Sequence, residues 1–430
     1  VKKVLILSYF YPPANFVGGD RIASWAKYLH EYGYYPVIVT RNWNVDQSDL
    51  TNKIENNDLH HEIYETHEIY RLPYYRSLRD RFNDYPNNPI LSLVRKALSV
   101  IELIMNNFFV HYIPYSNIYT FAKKLITDSN QFDTLIVSGR PFQLFYFAYL
   151  LKKRTGINWI ADYRDEWNTH PNRKANSFLE KMIHHFEKAS ELKWTSNCNG
   201  FISVSDHWVK TISEFIKKPG FKVMNGFEPD EFKQEVRTKK SNELIITYNG
   251  SLYLSQPIEI FIEAFKKIID KYKDKIRLQV NFAGITVMPL PEQKVRKLIK
   301  GYEQYFAISN RISKQQIIEL QMSSDLLLAT GYNDVKGWYP VKIFEYYASG
   351  TPVLLCPSDN DVIEDFFSKT NTAYVKNTVE ECQIFLSDYI EKKLSGDTHV
   401  LSRNNEEALK YTRKYQTGML ASVLSNIELN

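Results

Sequence analysis

The sequence predicts an α/β protein of two doubly wound parallel-sheet domains, and three observations carry that expectation. Short apolar, β-rich runs alternate with amphipathic helical segments; the alternation restarts near residue 230; and 430 residues leave room for two or three domains of about 150 with sizeable cores.

Val4 to Ser8, Pro36 to Thr40, Thr134 to Ser138, Trp159 to Tyr163 and Phe201 to Ser205 read as buried parallel strands, because their apolar character is continuous rather than alternating. Between them, Ile22, Trp25, Ala26 and Leu29 recur at helical spacing and Gly33 stops that helix; Phe142 to Lys153 and Asp206 to Lys217 behave similarly. Asn225-Gly226-Phe227-Glu228-Pro229-Asp230 and the polar stretch Lys233 to Glu243 read as a connector. Beyond it, Leu244 to Asn249, Leu278 to Ala283, Leu326 to Ala329 and Val353 to Cys356 read as strands, with helices at Ile258 to Tyr272 and Ile343 to Ala348. The domains are expected at 1–228 and 229–407, with a C-terminal helix over 408–430 returning to the first. Such sheets bind ligands at the carboxyl ends of their strands, so the two domains are expected to face each other across a cleft.

Residues 56–122 break the rhythm and read as an insertion. Asn88-Pro89 starts a helix whose apolar stripe is Ile90, Val94, Ala97, Ile101, Ile104 and Phe108. It follows the basic, aromatic run Arg71-Leu72-Pro73-Tyr74-Tyr75-Arg76, with Arg79 and Arg81 beyond. A core-packed helix with a solvated loop is one reading; a surface for an amphipathic acceptor or a membrane interface is the other. Tyr, Phe and Trp number 30, 25 and 7, and many of the tyrosines crowd this insertion.

Composition narrows the class further. With 24% charged and 44% hydrophobic residues, and 16 Gly and 17 Pro, the chain is neither disordered nor fibrous. A net charge of +5 is too small to argue for nucleic acid. Cys198, Cys356 and Cys382 have no metal or redox spacing and suit a reducing compartment, so a cytoplasmic protein is expected. The apolar run after Val1-Lys2-Lys3 is too short for a signal peptide, and Leu103 to Ala122 is too polar to span a bilayer. His60-His61 and His184-His185 lack helical ligand spacing, Asp359-Asn360-Asp361 reads as a turn, and no Gly-x-Ser-x-Gly elbow occurs, so no metal site and no hydrolase is expected.

Two segments carry chemistry. Tyr11 to Asp20 ends in Gly18-Gly19 and opens a helix, where a ligand can approach the backbone and an anionic oxygen is favoured. It is not the Gly-x-Gly-x-x-Gly dinucleotide fingerprint. The second runs from Lys336 through Gly337-Trp338-Tyr339-Pro340-Val341-Lys342-Ile343-Phe344-Glu345 to Leu354: a loop, a short helix, a Gly stop and a buried strand. Lys342 and Glu345 share a helical face near its start, where a cation can hold a diphosphate and a carboxylate can accept from sugar hydroxyls. A surface ion pair between the two is the plain alternative.

With these two segments, Trp159 to Trp167, Val223 to Phe227 and Tyr248-Asn249-Gly250-Ser251-Leu252, the chain resembles, over nearly its whole length, the retaining glycosyltransferases of the group 1 family (family four). The resemblance implies the GT-B fold of two Rossmann-like domains, and transfer of a sugar from a nucleotide-sugar donor to an acceptor hydroxyl with retention, without a metal and with no cofactor beyond the donor substrate. It places Glu345 at the nucleotide ribose and Gly18 and Gly19 against donor phosphate or acceptor. Asn249, Gly250, Ser251 and Tyr339 join the donor-binding set. The departures are equally specific. Gly337 stands where members often carry a second Glu, leaving the donor sugar to backbone or to Asp334. Ser251 and Gln256 stand where members have Arg and Lys, making Lys342 and Arg311 the candidates for the diphosphate. Arg164 stands in place of a His, so Arg164 and Asp165 are the catalytic candidates, with a structural ion pair as their alternative. Arg76, Arg79 and Arg81 are the acceptor candidates, and the expected acceptor is a saccharide, lipid-linked or a growing cell-surface polysaccharide, reached through a peripheral contact with the inner face of the membrane. A nucleotide-sugar epimerase and a non-catalytic nucleotide-sugar-binding subunit are the competing readings.

Overall fold

The computed structural model describes residues 1–14, 16–43, 58–82, 85, 88–129, 131–170, 177–233, 240–333, 335–397 and 401–428. Contacts divide the chain into one unit of Val1–Asn225 with Arg413–Asn430, and another of Gly226–Thr412. Asp334 and most of the connector, 234–239, lie outside the described residues.

The first unit contains β1 (Lys2–Leu7), α1 (Val17–Tyr28), β2 (Tyr34–Arg41), β3 (His60–Ile63), β4 (Glu68–Leu72), α2 (Leu78–Arg81), α3 (Pro89–Phe108), α4 (Asn117–Ser129), β5 (Phe132–Ser138), α5 (Gln143–Thr155), β6 (Asn158–Tyr163), α6 (Phe178–Thr195), β7 (Gly200–Ser203), α7 (Asp206–Ile216) and β8 (Gly220–Lys222). Its sheet order is β3-β4-β2-β1-β5-β6-β7-β8, parallel except for the edge strand β3. The order reverses between β1 and β5, so the segments leaving these two neighbours diverge and open a crevice at their carboxyl ends.

The second unit contains β9 (Glu243–Asn249), α8 (Glu259–Tyr272), β10 (Arg277–Ala283), α9 (Pro289–Leu298), β11 (Phe306–Ser309), α10 (Lys314–Ser323), β12 (Leu326–Ala329), α11 (Lys342–Ala348), β13 (Val353–Leu355), α12 (Val362–Thr370), β14 (Ala373–Val375), α13 (Val379–Ser395) and α14 (Asn405–Leu409). The parallel order is β11-β10-β9-β12-β13-β14, with its reversal between β9 and β12. The last helix, α15 (Arg413–Glu428), buries Leu420, Ala421, Val423, Leu424 and Ile427 against Ile22, Trp25 and Leu29 of the first unit. Apolar residues three and four apart on α1 meet an apolar face of α15 there, which is where most of a helix's stability in water originates.

Two sequence expectations change. Residues 60–72 are not wholly outside the sheet rhythm: β4 pairs in parallel with β2, and β3 closes the edge. Glu68 to Leu72 buries only Ile69 and Leu72 and leaves the other three half-buried, and a strand this short and mixed looks like a loop until its partner is known. The stripe on α3 is not core-packed. Ile90 is 72% and Leu93 70% exposed, and Val94, Ile101 and Ile104 are exposed with them. Their helical positions place all five on one arc, so the helix is amphipathic with its apolar face outward.

Candidate functional site

In the first unit the turn after β1 leads into α1, whose N-cap Phe16 offers no side-chain acceptor to the helix start. A Cβ at Gly18 would come 1.3 Å from Nη1 of Arg164, so a larger residue there would displace the guanidinium that points tip-first at the first helical turn. Gly19 packs against the Tyr11 backbone, where a Cβ would lie 3.2 Å from its Cα. Arg164 follows β6, and burial holds its pKa below the usual guanidinium value, with Asp165 opposing that shift. Its Nε makes no hydrogen bond, while Asp165 Oδ2 stands 3.5 Å from Arg164 Nε and 3.6 Å from Arg140 Nε. Arg140 follows β5 with φ 58, a left-handed conformation that a non-glycine residue adopts at a cost of about 1–2 kcal/mol. One carboxylate thus serves two guanidiniums beside the β1/β5 crevice.

Behind this surface lies a network that sequence reasoning missed. Arg21 Nη2 donates to Asp162 Oδ1 at 3.1 Å, with both side chains essentially inaccessible, and its Nη1 donates to the Met224 carbonyl at 2.8 Å. Ser138 Oγ donates to the other oxygen of Asp162 at 2.8 Å. The buried pair fixes the ends of β5 and β6 to α1 and so sets the crevice geometry. Its sequence signal was slight: Asp162 is a carboxylate inside the apolar run of β6, while Arg21 is one of three charged residues on α1.

Arg76, Arg79 and Arg81 are not brought to this crevice edge as a free basic cluster. Arg79 bridges Asp80 at 3.0 Å and Glu102 at 3.2 Å, and Arg76 Nη2 donates to the Asp80 carbonyl at 2.6 Å. Asp80 is buried and also accepts from Tyr74. Arg79 therefore braces α2 against α3, Arg76 ties the preceding loop to α2, and Arg81 is exposed.

In the second unit the β9/β12 crevice gathers most of the donor candidates. Gly250 sits at φ +85 directly after β9, with Lys342 Cε and Nζ 3.9 Å from where its Cβ would be. Gly284, at φ +92 after β10, lies against Gly250 and the Arg311 stem. Lys342 Nζ is buried, has no hydrogen-bond partner and lies 3.9 Å from the centroid of the Tyr248 ring. Burial pulls its pKa down to about 7, and the nearby Glu345 opposes this only in part. The sequence alternative of a Lys342–Glu345 pair is not made as a hydrogen bond: the ammonium has a ring face beneath it and nothing to donate to.

The neighbouring candidates divide between scaffold and surface. Asn249 is buried, its Oδ1 accepting from Gln321 at 3.2 Å and its N–H meeting the Tyr346 hydroxyl at 3.2 Å. The Ser251 carbonyl accepts from the Tyr248 hydroxyl at 2.9 Å, which fixes the ring under Lys342. Tyr339 stacks near Phe344 at 6.1 Å, while Glu345 is half-buried and Arg311 exposed at the same strand edge. Asp359 and Asp361 serve the loop: Asp359 accepts from the N–H groups of Asp361, Ile363 and Glu364, and Asp361 accepts from Gly337 N–H. Among the described residues no group of three or more His, Cys, Asp or Glu is placed to hold a metal ion, and no helix is long and apolar enough to cross a membrane.

No family model and no curated protein sequence matches the chain. Solved structures do match throughout its length. A glycosyltransferase from Rickettsia africae is similar at 14% identity and a TM-score of 0.59, covering 100% of this chain and 99% of that one. A trehalose-6-phosphate protein of E. coli bound with UDP-2-fluoro glucose gives 12% identity and 0.57, covering 98% and 99%. A Listeria monocytogenes chain described as a candidate UDP-N-acetylglucosamine 2-epimerase gives 14% and 0.50, covering 100% and 98%. At these identities the likeness defines the fold, the two-unit α/β architecture of GT-B glycosyltransferases.

Proposed function

We propose that the protein is a retaining, metal-independent glycosyltransferase that moves a sugar from a nucleotide-diphosphate donor to a saccharide acceptor, lipid-linked or part of a growing cell-surface polysaccharide. The observation that carries this reading is Lys342: a buried ammonium with no hydrogen-bond partner, at the switch point of the second sheet, beside a glycine that leaves the backbone open. A diphosphate oxygen supplies what that ammonium lacks. As the glycosidic bond to the donor breaks, negative charge grows on the departing diphosphate, and Lys342 and Arg311 neutralise it. Glu345 accepts from the ribose hydroxyls. Structural neighbours that include a glycosyltransferase and a chain bound with a UDP-sugar support the donor class.

The outward apolar arc of α3 supports the membrane part of the reading. Tyr75, Tyr85 and Tyr112 are exposed near it in sequence, Lys96 and Arg81 are exposed cations, and Glu102 is held by Arg79. Apolar face, tyrosines and basic residues together fit a helix lying in a bilayer interface.

Thermal-shift titration with uridine, guanosine and thymidine diphosphate sugars tests the donor assignment, because a ligand bound only by the folded state raises the melting temperature. One nucleotide class is expected to shift it and Lys342→Met to weaken the shift; no shift with any of them refutes the reading. Epimerisation is the competing reading, since one structural neighbour carries that description. Incubating donor alone separates the two: an isomerised donor supports the epimerase, and turnover that depends on an added acceptor supports the transferase.

A further inference from the structure

The carboxyl edge of the first sheet carries an aromatic surface that none of the assignments above uses. Phe10 and Phe16 lie 4.5 Å apart between ring centroids, and Phe10 stacks on Trp43 at 5.5 Å and 23°. Phe10 and Phe16 are half-buried, whereas Trp43 is buried beneath them. The surface is braced from behind. Trp43 Nε1 donates to the Tyr9 carbonyl at 2.9 Å, and the Arg41 guanidinium is held 4.0 Å from the Trp43 ring and 3.6 Å from that of Tyr74, with Nη1 donating to the Tyr9 hydroxyl at 2.7 Å. Rings held this firmly at a loop edge lose little freedom when a ligand stacks on them.

Arg164 borders the same surface, its guanidinium 5.7 Å from the Phe10 centroid and pressed on Gly18. Among the described residues, Asp165 pairs with both Arg164 and Arg140 while Asp162 is taken up by Arg21, so three guanidiniums here face two carboxylates.

We propose that Phe10 and Phe16, backed by the buried Trp43, stack against a saccharide ring of the acceptor, and that Arg164 takes an anionic substituent of that ring, so that the acceptor is a phosphorylated or carboxylated sugar and not a neutral one. A sugar ring presents C–H groups to the aromatic faces, and a planar guanidinium suits phosphate or carboxylate oxygens. This inference rests on the transferase reading but concerns the first unit, whereas the nucleotide is assigned to the second.

The test is calorimetric titration of the full chain, without donor, with matched sets of hexoses, their 6-phosphates and the corresponding uronic acids. A prenyl diphosphate-linked hexose in zwitterionic vesicles forms a further arm. At least one anionic sugar is expected to bind tenfold or more tighter than its neutral parent. Tighter binding confined to the vesicle arm assigns the anion to a lipid carrier; tighter binding of the free 6-phosphate or uronate assigns it to the sugar itself. Phe10→Leu, which keeps apolar volume, is expected to weaken every bound sugar roughly tenfold. Arg164→Gln is expected to abolish the anionic preference alone, with melting curves confirming that both variants fold. Equal affinity for charged and neutral partners, or a preference that survives Arg164→Gln, overturns the proposal. If no sugar binds while a UDP-sugar still does, this proposal fails and the nucleotide assignment stands. If no nucleotide sugar binds either, the transferase reading fails first and takes this one with it.

Discussion

Lys342 gives the most demanding prediction. Burial moves its pKa from 10.5 to about 7, a displacement that corresponds to roughly 5 kcal/mol between its charged and neutral forms. Below pH 7 the folded chain bears the full cost of a buried ammonium; the cost is relieved as pH rises from 7 to 10.5, where the unfolded chain holds a proton that the folded chain has released. Binding a diphosphate favours the charged form and reverses this balance, so donor binding takes up a proton near and above pH 7. Affinity for a nucleotide-diphosphate sugar, whose phosphates do not titrate in this range, is expected to fall roughly 30-fold between pH 6 and 8.5. Calorimetry in buffers of differing ionisation enthalpy reads both the affinity and the proton uptake. Lys342→Met is expected to flatten the profile and to weaken binding at pH 6.5 by roughly 10- to 100-fold, the worth of a charge-assisted hydrogen bond. The same variant is expected to be more stable than the parent at pH 6.5, with about 5 kcal/mol as its upper bound. A donor affinity independent of pH, or a Lys342→Met protein less stable than the parent, refutes the assignment of Lys342 as an anion site held ready by burial.

Three further outcomes test the surrounding framework. Gly331→Ala would place a Cβ 2.4 Å from the Asp359 backbone nitrogen, with no flexible side chain to yield; a loss of about 2–3 kcal/mol in urea unfolding is expected. Asp162→Ala strands Arg21 without its buried partner and is expected to cost about 3–5 kcal/mol by the same measurement; a neutral result would mean that the pair is not what fixes β5 and β6 to α1. Leu93→Asp with Ile101→Asp changes exposed positions on α3, so the melting temperature should hold while binding to anionic vesicles falls at least tenfold; unchanged vesicle binding removes the membrane part of the proposal.

Much of the fold was legible because it depends on local periodicity. Continuous apolar runs separated by helical patterns mark buried parallel strands, and the restart near residue 230 lies close to the contact boundary after Asn225. Gly250 could be singled out because it follows a strand of the second series, where a parallel sheet leaves room for a ligand, and Lys342 because it opens a short helix three residues before Glu345. The short strands β3, β4, β11 and β14 were not legible: three to five residues of mixed polarity acquire meaning only from the partner they hydrogen-bond to. The aromatic surface was missed for a related reason, since the tyrosines of the insertion drew attention while Phe10 and Trp43, in separate loops, meet only when β1 and β2 pair.

The sequence by itself determined the class of architecture, the domain rhythm and which residue types stand at strand ends, since these follow from periodicity and turn chemistry along the chain. Only the tertiary structure decided what each of those residues does. The stripe of α3 is the same sequence whether it faces a core or solvent, and the fold leaves it outward. Lys342 and Glu345 are three residues apart in either case, but whether the ammonium is paired depends on the Tyr248 ring and the hydrogen bonds available around it. Gly18 and Arg164 are separated by most of the first domain, and their contact exists because β1 and β6 end at the same edge of one sheet. Charge, burial and steric fit are set by neighbours in space, and spacing along the chain does not report them.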